Sequence, residues 1–119
     1  MAKEKKTDNA NLMSAIAYLL MPISSIIIYL MEKSDKYVRF HAFQGLLLGI
    51  ILLVASWIIG FVIAMIALAT MGMGVFLIAP VMMLFWLVCL VLWLFMMWKA
   101  YNGEKYKLPV IGDIAEKNA

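Results

Sequence analysis

From Phe40 to Trp98 the chain contains no Asp, Glu, Lys or Arg, and neither does the stretch from Leu12 to Met31. Uncharged apolar runs of about 18 residues or more belong in a bilayer, where a helix satisfies its own backbone and its side chains ask nothing of water. The fold class expected is therefore all-α, a polytopic helical membrane protein. Composition agrees, since 66% of the 119 residues are hydrophobic and 14% charged, against roughly 25% charged in a soluble domain. The formal charge of +3 sits outside the apolar runs and points to a membrane surface, not to nucleic acid. The polar start and the length of the first run argue against a removable signal peptide.

Breaks in the runs divide the chain into three expected transmembrane helices, about 12–31, 40–69 and 75–98. Residues 1–10 read as a disordered tail in which Thr7, Asp8 and Asn9 offer caps. Residues 11–112 read as a single membrane domain, and 113–119 as the end of a short tail lying on the headgroups. In the first span Asn11, Ser14, Tyr18, Ser25 and Tyr29 share one helical stripe. Pro22 lies at its edge and should kink the helix, leaving the Tyr18 carbonyl in need of another donor. Ser34 or Asp35 is a plausible cap for the second helix, whose stripe of His41, Gly45, Gly49, Ser56 and Gly60 permits close approach. The two stripes are expected to face each other. Thr70 to Gly74 reads as an uncharged turn, and Pro80 as a residue tolerated near the start of the third span. Trp86, Cys89, Trp93 and Met97 share a face of that span, and Trp98-Lys99 marks its exit from the membrane.

Chemistry is harder to find. His41 is the sole histidine and Cys89 the sole cysteine, and their sequence depths do not match. A metal site needs several ligands, and coupled transport usually shows a charge inside a span. A non-catalytic protein without a cofactor is the expectation. His41 reads either as an interfacial anchor bonding a tyrosine or a carbonyl of the last span or tail, or as part of a lipid-headgroup site with Lys36, Arg39 and Gln44. The expected partners are membrane lipid, anionic lipid included, and either further copies of the chain or a larger membrane complex.

Two blocks carry a resemblance. His41, Ala42 and Gln44 open a span, and Ala100, Gly103, Glu104, Tyr106 and Pro109 follow the last one. The family-like positions His41, Gln44, Gly103 and Pro109 resemble those of a prokaryotic family of small membrane proteins of unknown function. That family is similar to the channel-like Tic translocon subunit of the chloroplast inner envelope, although the plant protein has four spans. The resemblance implies a helical membrane domain and a part in polypeptide translocation or insertion; the alternative is a structural or regulatory partner in a larger complex. With three spans, the positive-inside rule sets Lys3, Lys5 and Lys6 against the remaining cations. The N-terminus is then expected outside and the C-terminus in the cytoplasm.

Overall fold

The computed structural model describes residues 9–119; the expected tail and the caps at Thr7 and Asp8 lie outside the described residues. Its elements are five helices: α1 Ala10–Leu19, α2 Ile23–Met31, α3 Lys36–Ala69, α4 Met73–Tyr101 and α5 Ile111–Lys117. Among the described residues, α3 and α4 are the helices long and apolar enough to cross a membrane. They correspond to the expected second and third spans, each extended by a few residues.

The first apolar stretch, expected to be a third span, is instead two helices each too short to cross, so the expected three spans are not confirmed. Leu20, Met21 and Pro22 separate α1 from α2, with a cis bond between Met21 and Pro22. The two short helices fold back on each other. Ala10 at the start of α1 shares a cluster with Ile28 near the end of α2 and with Tyr37 and Val38 at the start of α3. At the other end of the hairpin, the backbone of Met21 and Pro22 lies against Gly49. A straight helix would put Ala10 and Ile28 about 27 Å apart, so the stretch is a re-entrant hairpin.

Local chemistry explains how a hairpin survives in lipid. Pro22 has no N–H, and backbone groups freed at the break need other partners. The Ala17 carbonyl accepts the hydroxyls of both Ser24 and Ser25. Ser24 Oγ also accepts the Leu20 N–H at 3.1 Å, and the Tyr18 carbonyl receives the indole N–H of Trp93 at 2.7 Å. The anticipated need at Tyr18 is thus met from α4.

Asp35 caps α3, its side chain accepting the N–H groups of Tyr37 and Val38. At the far end Thr70 Oγ1 accepts the Gly74 N–H, and Gly72 takes a left-handed φ of 87° that suits glycine. Pro80 lies two turns inside α4, deeper than the first turn expected for it.

The hairpin sits between the two spans. α1 packs against both α3 and α4, α2 against α3, and more of the packing of α4 is against α1 than against α3. The molecule is 57 Å long and about 22 Å across. α1 and α3 both begin at the end where α4 finishes, an arrangement that gives the expected outside N-terminus no support.

Candidate functional site

The buried polar side chains collect at the charged end, around His41 and Gln44. α3 presents Tyr37, His41, Gln44 and Leu48 on one face, spaced by three or four residues as a helix requires. All four are buried. Opposite them lie Tyr18 of the hairpin and the segment leaving α4. That segment begins at Gly103, whose φ of 81° closes a Schellman turn. Gly103 N–H reaches the Ala100 carbonyl, and Glu104 N–H reaches that of Lys99. The chain then runs extended across α3 as a strap.

The hydrogen bonds of the strap form one connected network. His41 Nε2 lies 2.9 Å from the Glu104 carbonyl, which can only accept. The ring therefore carries its proton on Nε2, and Nδ1 accepts from the Tyr18 hydroxyl at 2.8 Å. The Tyr18 hydroxyl in turn accepts one N–H of Gln44 at 2.9 Å, and the other Gln44 N–H goes to the Tyr106 carbonyl at 2.9 Å. Gln44 Oε1 accepts the Leu108 N–H at 2.9 Å. Tyr37 adds a hydroxyl bond of 2.6 Å to the Ala100 carbonyl. Rings seal the site: His41 meets Tyr18, Tyr37 and Phe40 edge-on, with centroids 4.7 to 5.6 Å apart. Ser14 Oγ is buried nearby in α1 without a hydrogen-bond partner.

The strap ends in a turn at Pro109 and Val110 and in α5, which packs against α3. Gly112 is buried, and a Cβ there would lie 2.6 Å from that of Lys107. Leu108 and Ile111 pack against the cluster of Tyr18, Leu48, Met96 and Ala100. Outside, Lys107 bonds Glu116 at 2.9 Å and pairs with Asp113 at 3.0 Å, while Lys105 lies 3.7 Å from Glu116. The hydrogen bond from Lys107 holds the Glu116 carboxyl below the usual carboxylate range. In the α2–α3 turn the Glu32 carboxylate accepts the N–H of Asp35 and the N–H and hydroxyl of Ser34, which lowers its pKa in the same way.

The expected headgroup residues are not gathered on one surface. His41 and Gln44 are fully buried and bonded to protein, whereas Lys36 is exposed. Arg39 caps α2, its guanidinium donating to the Tyr29 and Glu32 carbonyls at 3.0 and 2.8 Å and stacking 4.0 Å from the Tyr29 ring. Of the packing stripes, Ser14, Tyr18 and Ser25 are buried against neighbours, and Tyr29 bonds the Asn118 carbonyl. Gly45 and Gly49 receive the hairpin, a Cβ at Gly45 meeting Ser25 Oγ at 2.6 Å and one at Gly49 meeting Pro22 N at 2.7 Å. Ser56 bonds only its own helix at Leu52, and Gly60 has nothing within 4 Å of a Cβ. Family-like Gly103 and Pro109 bracket the strap. Tyr37 is not among the expected packing positions, and Trp93 enters them only as part of one face of the third span; Tyr37 falls one turn before His41, so helical spacing could have found it.

Two spans, a hairpin that fills the space between them at one end, and a C-terminal strap tied down by His41 and Gln44 define a small helical integral membrane protein. The chain belongs to the MamF/MmsF magnetosome magnetite crystal formation protein family, whose model matches residues 9–115. It is 41% identical over 107 residues to a UPF0132 membrane protein of Methanocaldococcus jannaschii, covering 90% of this chain and 86% of the relative. A UPF0132 membrane protein of Archaeoglobus fulgidus is 39% identical over 107 residues, covering 90% and 92%. No solved structure matches. The expected family of small prokaryotic membrane proteins is thus the right kind, but none of these matches supports the likeness to a Tic translocon subunit.

Proposed function

We propose that this is a non-catalytic structural protein of the prokaryotic cytoplasmic membrane, acting through the bilayer and the membrane proteins that surround it. The supporting observation is where its polar groups go. The Tyr18, Tyr37, His41 and Gln44 side chains bond to one another and to backbone, and what faces the membrane beyond them is apolar helix. Both ring nitrogens of His41 are engaged, and Cys89 lies on α4 beside the hairpin tip, lining a cleft with Leu19, Leu20 and Met21. The family is named for magnetite crystal formation, and the archaeal relatives are described simply as membrane proteins, which is in keeping with a role exerted from within the bilayer.

A role in passing polypeptides needs an open polar seam. Here Ser14, Tyr18 and Ser25 are closed inside the hairpin packing, which favours the structural role. Lys33, Lys36, Arg39, Lys99, Lys105, Lys107 and Lys117 all belong to the end that carries the strap, and the turn from Thr70 to Met73 has no charge. The positive-inside rule then puts the strap in the cytoplasm together with the start of α1. In vivo photocrosslinking tests the reading. A probe at exposed Leu84 should reach lipid and a discrete set of membrane neighbours, further copies included, and a probe at buried Ser25 only this chain. Crosslinks from Ser25 to many nascent chains would replace the structural role with translocation.

A further inference from the structure

We infer that the protein is a one-leaflet wedge, which partitions into membrane that is convex on the strap side and favours that curvature where it accumulates. The inference rests on the reading that the protein acts through the bilayer around it. It comes from how unequally the chain fills the two halves of a membrane.

The hairpin is embedded, because its outer surface is Leu12, Leu20, Ile23, Ile27, Leu30 and Met31, each at least half exposed. Its depth is set by where its ends meet α3, near Val38 at the open end and at Gly49 at the tip. The helix between those residues rises about 16 Å, roughly half of a ~30 Å hydrocarbon core. One leaflet therefore holds α1, α2, α3 and α4 in cross-section, with α5 and the strap above them. The other holds α3 and α4 alone. Each helix with its side chains is about 10 Å across, so the two leaflets differ by two helix cross-sections. Contact within the protein follows the same division: α1 lies between the spans on the strap side, whereas near the turn α3 and α4 meet directly at Ile66, Thr70 and Gly74. The hairpin is thus added beside the spans on the strap side, where α3 and α4 also touch through Tyr37 and Ala100. In a flat bilayer such a body crowds one leaflet and leaves the other short of area. Bending toward the crowded side relieves both, and packed helices do not deform to do it instead.

The sign of the effect gives the test. The full chain, with Cys89→Ala and a fluorophore on a cysteine placed at Asn118, is reconstituted into giant vesicles of zwitterionic phosphatidylcholine. Nanotubes are then drawn from the vesicles. An impermeant quencher separates molecules whose strap faces outward from those whose strap faces inward. Strap-out molecules should be several-fold denser in the tube than in the parent vesicle, and strap-in molecules depleted. Enrichment of both orientations, or equal density of both in tube and vesicle, overturns the wedge. A Gly49→Leu variant that inserts should lose the asymmetry because the hairpin can no longer seat; should it not fold, the opposite signs of the two orientations still decide. Tube partition reads the shape of the purified protein and photocrosslinking reads its neighbours in the cell, so either reading can fail without the other.

Discussion

The strap-side half of the molecule and the half near the Thr70 turn are built from the same two spans by different means. On the strap side α3 is buried by the hairpin, by α4 and by α5, and its side chains are chosen for hydrogen bonding: Tyr37, His41 and Gln44. Past Gly49 the same helix carries Leu53, Val54, Trp57, Ile58 and Phe61 into the membrane, each about half exposed or more. Lipid tails are as apolar as these side chains, so no hydrophobic force holds that half together. Specificity in this protein lies where polar groups have been brought into the membrane and answered, and the rest of the spans need only be long and apolar.

The sharpest way to break the contrast is to make the same change at two glycines of α3. Gly49→Leu drives a side chain into the backbone of Met21 and Pro22, which cannot move aside as a flexible side chain would. A loss of about 3 kcal/mol or more is expected, at the upper end of overpacking. Gly60→Leu meets open space and should change little. Thermal unfolding in detergent measures both, and equal losses would mean that the hairpin does not seat on Gly49.

Next in size is the strap. Gln44→Leu leaves the Tyr106 carbonyl and the Leu108 N–H without their partner, at about 1–3 kcal/mol for each group that stays buried. Hydrogen exchange at the Leu108 amide should quicken while exchange in the far half of α3 stays as it was. Ser56→Ala, which removes only a bond within one helix, should be close to neutral. Uniform acceleration along α3 would show that the two halves unfold as one unit.

A smaller effect is expected at the indole. Trp93→Phe withdraws the donor from the Tyr18 carbonyl and should cost about 1 kcal/mol in the same unfolding measurement. No loss would mean that another group serves that carbonyl.

Smallest is a response to acid. Glu116 has its pKa lowered by the hydrogen bond from Lys107, so the anchorage of α5 is complete above the ordinary carboxylate range. It is lost as pH falls through the depressed value. Both groups face solvent, and salt screening keeps the effect small. Amide exchange in α5 should rise on acidification, and Glu116→Gln should flatten that dependence while leaving the hairpin untouched.

Much of this division could be read from the chain. The extents of α3 and α4 follow from uncharged length, and Gly45 and Gly49 follow from the spacing of small residues. The first stretch reads as a span because length and hydropathy are the same for a span and for a hairpin that turns at Pro22. The pair Ser24-Ser25, placed to serve the carbonyl of Ala17, was the local sign. Ser56 and Gly60 continued the stripe in sequence, yet the hairpin is too short to reach them. The strap was legible only as the spacing of Gly103 and Pro109. His41 and Gln44 bind it through the backbone of Glu104, Tyr106 and Leu108, and backbone partners leave no trace in residue identity.

The distance along the chain between those partners also orders the life of a newly made molecule. His41 and Gln44 enter the membrane during synthesis, but the groups they bond lie 62 to 64 residues further on. Until the ribosome has delivered that segment, an imidazole and a carboxamide sit near the bilayer surface with only Tyr18 to answer them. The hairpin and the start of α3 are thus held in their finished form by a segment translated well after them. A chain truncated before Gly103 would keep both spans and lose the means to lock what precedes them.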